Sequence, residues 1–126
     1  MRTEHTLLSL KRSVTDMAAR INADNFDAEV LASDKPVIAD FYSDSCVPCK
    51  RMSPVLAEIE EENDSIKVVK ININFDSALA EKYAVVSAPT FIFFKNGEEV
   101  HRITGAVKKA ELTAAIKSII YEENLL

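Results

Sequence analysis

Val37-Ile38-Ala39-Asp40-Phe41-Tyr42 runs through Ser43-Asp44-Ser45 into Cys46-Val47-Pro48-Cys49. Five of the first six residues are apolar or aromatic, so they read as a strand buried on both faces. Met52, Val55, Leu56 and Ile59 then recur at i, i+3, i+4 and i+7, which predicts a helix beginning at the cysteines. These are the only two cysteines in the chain. A helix start offers unpaired N–H groups and the positive end of a dipole, and both favour a thiolate over a thiol. The thiolate is the reactive form, so Cys46 is the candidate nucleophile. Cys49 falls one turn later on the same face, where the two sulfurs can close and reopen a disulfide. Pro48 lies in the first turn, where a missing N–H costs little.

A CxxC pair also occurs in zinc sites. Zinc takes about four ligands, and the two histidines, His5 and His101, lie at no zinc-finger spacing. Two ordinary buried cysteines are the bland alternative, which explains neither Pro48 nor the preceding strand. Asp40 interrupts the apolar run six residues before Cys46. A buried carboxyl without a partner is expensive and has a raised pKa, and here it could lie beneath the sulfurs and exchange a proton with them. The competing reading is an edge-strand Asp that points to water.

The chain has 126 residues, enough for one domain with one core. Its net charge of −5 shows none of the basic excess expected of a nucleic-acid binder. No apolar run approaches the ~20 residues of a membrane span. Residues 1–17 read as an N-terminal extension and 18–126 as the domain. Leu7, Leu10, Val14, Met17 and Ile21 recur at helical spacing in and just after the extension. Its Arg2, Ser9, Lys11, Arg12 and Ser13 would suit an organellar transit segment, and Glu4 and Asp16 count against one.

Residues 18–22 suit an edge strand. Asp24 or Asn25 can cap a helix bearing Phe26, Val30 and Leu31. Lys35-Pro36 breaks the chain before the first buried strand, and Pro54 predicts a kink in the helix after Cys46. Ile66 to Ile73 is β-branched and reads as a second buried strand, parallel to the first across a helical connection. Lys70 within it could approach Asp40 and hold it ionised; equally, its stem could lie on the sheet with the head in water. Asn74 or Asp76 can cap a short helix through Tyr83. Thr90 to Lys95 is a strand, Asn96-Gly97 a hairpin turn, and Val100 to Thr104 the returning strand. Leu112, Ala115, Ile116, Ile119 and Ile120 form the apolar face of a last helix, with Tyr121 to Leu126 a fraying end. The class is α/β, a central mixed five-stranded sheet with helices on both faces.

Several motifs in this order resemble the thioredoxin family: Asp40-Phe41, Cys46-Val47-Pro48-Cys49-Lys50, Pro54, Val69-Lys70-Ile71-Asn72, Ala88-Pro89-Thr90, Phe94-Lys95-Asn96-Gly97 and Gly105-Ala106. The resemblance runs from around Ile21 through the last helix and implies a thioredoxin fold and a protein-disulfide reductase. Cys46 would attack a substrate disulfide and Cys49 would resolve the mixed disulfide. Asp40 would be the buried acid/base, with Lys70 its neighbour. Pro89 would be cis and face the disulfide, and the Ala88 backbone would pair with an extended substrate. Ser45, Val47 and Pro48 would border the groove, and Thr104, Gly105 and Ala106 would form its other lip. The redox-active Cys46–Cys49 disulfide would take the place of a bound cofactor, with no metal. The partners implied are a thioredoxin reductase and protein disulfides, with no nucleic acid and no membrane, for a cytoplasmic monomer.

The chain departs from the family pattern around the site. Ser45 and Tyr42 stand where Trp is usual, and the chain has no Trp. Val47 and Ala84 stand where Gly is usual, and Ala88 where a larger β-branched residue is common. These changes keep in view two alternatives on the same fold: an oxidase or isomerase, and a redox-sensitive partner-binding module.

Overall fold

The computed structural model describes residues 19–125. The expected helix in the extension, and its transit-segment reading, lie outside them. Five strands form one sheet: β1 (Ala19–Arg20), β2 (Val37–Tyr42), β3 (Lys67–Asn72), β4 (Thr90–Lys95) and β5 (Glu98–Thr104). Three helices connect or close it: α1 (Val47–Glu62), α2 (Ser77–Lys82) and α3 (Lys109–Leu125). The strand order is β1-β3-β2-β4-β5, with β1 and β2 parallel to β3 and β4 antiparallel to both β2 and β5. The mixed five-stranded sheet is the expected architecture, and β2 is its central strand.

Side chains of a strand alternate between faces, and β2 therefore feeds two cores. Val37, Ala39 and Phe41 join Phe26, Val30, Val69, Ile71, Leu79 and Phe94 on one face. Ile38 joins Met52, Leu56 and Ile59 of α1 and Leu112, Ile116 and Ile119 of α3 on the other. All six β2 residues are buried. Full burial of a Phe or Ile side chain contributes about 1.5–3 kcal/mol, and Phe41, Phe91, Phe93, Phe94, Ile38 and Ile92 are fully buried around the centre of the sheet.

Local chemistry differs from the sequence reading at three places. The helix expected after Asp24 or Asn25 is a single π-type turn, Asp27–Leu31, with no side-chain cap. Asn22 and Asn25 instead bind each other's backbone: Asn25 Oδ1 accepts from Asn22 N–H, and Asn22 Oδ1 from Asp24 and Asn25 N–H. Asp76 occupies the N-cap position of α2 but leaves it uncapped. Its Oδ1 accepts from Ala23 N–H at 3.1 Å, a long-range tie that outcompetes the local one. The last helix continues through Leu125 where fraying was expected. Pro54 lies within α1.

Asn96 and Gly97 both have positive φ, as the tight β4–β5 hairpin requires. A side chain at Gly97 would meet the Leu31 carbonyl at 3.1 Å. Ala84, at the exit of α2, also has φ +54°, a left-handed conformation that costs a non-glycine residue about 1–2 kcal/mol. It is exposed. Ala84→Gly should therefore raise stability by about 0.5–1 kcal/mol, the strain relieved less the added entropy of an unfolded Gly. An unchanged or lower denaturant midpoint would contradict this.

Candidate active site

β2 ends at Tyr42, and the next residues carry the chain over the sheet edge to the start of α1. Cys46 is the N-cap of α1, with extended backbone, and Pro48 lies in the first turn. The Cys46 and Cys49 sulfurs are joined in a disulfide, with Cα atoms 5.2 Å apart. Cys46 Sγ accepts from Cys49 N–H at 3.1 Å, so the sulfur itself satisfies one of the orphan donors of the helix start. Cys46 is half-buried and Cys49 buried at 5 % exposure. The accessible sulfur is therefore the first one. Among the described residues, no three His, Cys, Asp or Glu side chains gather to hold a metal.

Asp40 lies two residues after Ile38 on β2 and so points to the same face, the one covered by α1. It is 1 % exposed, which disposes of the edge-strand reading. Its Oδ1 has no hydrogen-bond partner in the protein. Loss of water pushes the carboxyl from its ordinary 3.8 up to about 7, while the positive charge of Lys70 pulls the other way. Lys70 is the register partner of Asp40 across the parallel β2–β3 pair. Its ammonium nevertheless donates to Ser53 Oγ on α1 at 3.0 Å and lies 4.9 Å above the Tyr42 ring. The expectation that Lys70 holds Asp40 ionised thus yields to desolvation.

β4 runs antiparallel to β2, with Thr90 opposite Phe41, so the preceding Ala88-Pro89 lies at the sheet end from which β2 leads to Cys46. The Ala88–Pro89 peptide is cis. Thr90 Oγ1 donates to Ser87 O at 2.8 Å. Gly105 N–H donates to Pro89 O at 2.8 Å, and Thr104 pairs with Thr90. Thr104-Gly105-Ala106 and Ala88-Pro89 are thereby fixed side by side. Ser45, Val47 and Pro48 are exposed beside the disulfide, Val47 at 57 %.

Three supporting residues escaped the sequence reading. Ser53 offered one signal, a hydroxyl in a helix interior four residues after Cys49, where Ser is otherwise unfavourable. Asn72 is buried; its Oδ1 accepts from Asn74 and Phe75 N–H, and its Nδ2 donates to Asp44, tying the β2–α1 loop to the end of β3. Arg102 pairs with Glu99 and donates to the carbonyls of Tyr83 and Ala84, securing the segment that leads to Pro89.

The buried carboxyl makes stability depend on pH. The proton is held more tightly in the folded chain than in the unfolded one. Its contribution is complete below the unfolded value of 3.8 and is lost as pH rises through about 7. The full difference is roughly 4 kcal/mol. Asp40→Asn should stabilise the protein at pH 8 by a few kcal/mol and give little benefit at pH 4. Chemical denaturation at the two pH values measures this, and an equal effect at both would show that Asp40 is not the titrating group.

Comparison with known proteins bears on this geometry. A family model described as Thioredoxin matches residues 17–118. A thioredoxin from Mycolicibacterium smegmatis is 46% identical over 95 residues, covering 73% of this chain and 85% of that protein. A bifunctional thioredoxin reductase/thioredoxin from Mycobacterium leprae is 40% identical over 97 residues, 76% of this chain and 21% of the larger protein. Among solved structures, a mutant thioredoxin from Halobacterium salinarum superposes with a TM-score of 0.74 at 33% identity, covering 80% of this chain and 88% of its own.

Proposed function

The chain belongs to the thioredoxin family and is a thiol–disulfide oxidoreductase of the protein-disulfide reductase type, and on that premise we propose how its residues divide the reaction. The Cys46 thiolate attacks one sulfur of a substrate disulfide and expels the other as a thiolate. Asp40, ionised, takes the proton of Cys49. The Cys49 thiolate then attacks Cys46 Sγ, releases the second substrate sulfur and closes Cys46–Cys49. Two electrons pass to the substrate, which ends as two thiols. The observation that carries this reading is the placement of one accessible and one buried sulfur at a helix start, on the helix that covers a buried carboxyl whose Oδ1 has no hydrogen-bond partner. A carboxyl near 7 is poised both to accept and to return a proton at neutral pH.

Substrate enters as an extended chain across the cis Ala88–Pro89 segment, with Thr104, Gly105 and Ala106 on one side and Ser45, Val47 and Pro48 on the other. Backbone pairing at Ala88 supplies affinity without dictating sequence. Lys70 modulates Asp40. Residues 18–126 form the catalytic unit and 1–17 an extension. Members of this family work with a thioredoxin reductase, and a reductase of that kind recharges this chain; the Mycobacterium leprae relative joins both activities in its name. The protein works as a monomer in the cytoplasm, where thiols are kept reduced and a dithiol carrier has a source of electrons.

Cys46→Ser should abolish reduction of a protein disulfide. Cys49→Ser should still attack but stall, accumulating a covalent mixed disulfide visible on a non-reducing gel. If Cys46→Ser retained turnover, or if Cys49→Ser trapped nothing, the assigned order of the two sulfurs would be wrong.

A further inference from the structure

Lys70 and Asp40 are register partners on neighbouring parallel strands, close enough for an ion pair to be the ordinary expectation. The pair does not form: Asp40 Oδ1 has no partner, and among the described residues no salt bridge joins the two. The Lys70 ammonium is held by Ser53 Oγ at 3.0 Å and by the face of the Tyr42 ring at 4.9 Å. Lys70 also lines an open cleft of about 460 Å³ with Arg20, Asp44 and Asn72, so its charge keeps access to solvent. We propose that Ser53 is a positioning residue that draws the Lys70 ammonium onto α1 and away from Asp40, and so sets the proton affinity of the buried carboxyl. This rests on the reading of Asp40 as the proton acceptor for Cys49.

The physical argument is a competition for one cation. An ammonium that moved to Asp40 would leave water, the Ser53 hydroxyl and the aromatic face in order to enter the dry side of the sheet. That desolvation is costly unless the pair is well hydrogen-bonded. Ser53 provides an acceptor short of that position, so the cation stops there. Of the elements packed against β2, β3 brings Lys70 into register with Asp40, β4 brings the uncharged Phe91, and α1 lays Met52 and Leu56 over the same face, with Cys49 buried along that helix and Ser53 bonded to Lys70. In the oxidised chain Lys70 is the charge acting on Asp40. Its distance is therefore the variable that the protein can set, and Ser53 sets it. With the hydroxyl absent, the freed ammonium moves toward the carboxylate and holds it ionised, which leaves a weaker base for Cys49.

The test is the titration of the Asp40 side-chain carboxyl carbon, followed by NMR in the oxidised full-length protein. Ser53→Ala should lower the midpoint by about one unit, the size of effect an approaching opposite charge produces. Ser53→Thr, which keeps the hydroxyl, should leave it in place. In a Lys70→Met background, Ser53→Ala should have no effect, because the cation it positions is gone. A purely structural Ser53 would shift the midpoint equally with or without Lys70. The proposal is overturned if Ser53→Ala leaves the midpoint unchanged or raises it, or if its effect persists in Lys70→Met. A separate assay isolates the underlying reading: if Asp40→Asn reduces a protein disulfide at the wild-type rate, the proton-acceptor role fails whatever the titration shows.

Discussion

A carboxyl with almost no access to water constrains the rest of this structure. Asp40 sits in the central strand, between Ile38 and Tyr42 on the face covered by α1, and its Oδ1 finds no donor. The sheet tolerates it because the proton stays on until near neutrality. Every neighbouring choice keeps it that way. β4 places Phe91 opposite, and α1 lays Met52 and Leu56 over the same face. Lys70, the cation that acts on it among the described residues, is tied to Ser53. A hydrogen-bond donor or a cation at any of these positions would stabilise the carboxylate and lower its proton affinity.

The same strand that buries the carboxyl also aims the sulfurs. A parallel β2–β3 pair needs a helical crossover, and the crossover must begin at the carboxyl end of β2. That beginning is a helix N-terminus, the place in a fold where a thiolate is best stabilised. The antiparallel β4 then returns to the same end of the sheet, so its preceding loop, with cis Pro89, arrives at the end where α1 begins. Gly105, at the end of β5, fixes that loop through Pro89 O. Topology brings together residues that are far apart in sequence.

This explains which features were legible in the sequence. The two buried strands, α1, the β4–β5 hairpin and the last helix each carry a periodic or turn signal of their own. Cys46, Cys49 and Asp40 announce themselves because they break that periodicity with chemistry a core does not need. What the sequence hid depends on a choice between partners. Asp76 could cap α2 or bind Ala23, and it binds Ala23. Lys70 could reach Asp40, water or Ser53, and it takes Ser53. Arg102 reads as one more charge on an exposed strand, yet it grips the carbonyls of Tyr83 and Ala84. No local pattern ranks such alternatives, because each is decided by distances that only the folded sheet defines. The cis peptide at Pro89 belongs with these: it was expected from the family resemblance and has no signal in the residues alone.

The departures around the site follow a physical division. Asp40, Cys49 and Pro89 are buried, and they match the family pattern. Where the usual Trp, Gly and large aliphatic residues are absent, at Ser45, Val47 and Ala88, the replacements are exposed or half-buried. Tyr42 is the exception that supports the division. It is buried, it remains aromatic, and the Lys70 ammonium rests on its face. Exposed side chains can change without disturbing the carboxyl or the helix start, so partner choice is free to vary while the electron transfer beneath it is not. Val47 beside the disulfide and Val86 on the segment before Pro89, exposed at 57 % and 92 %, offer a patchy aliphatic rim in place of a flat aromatic one.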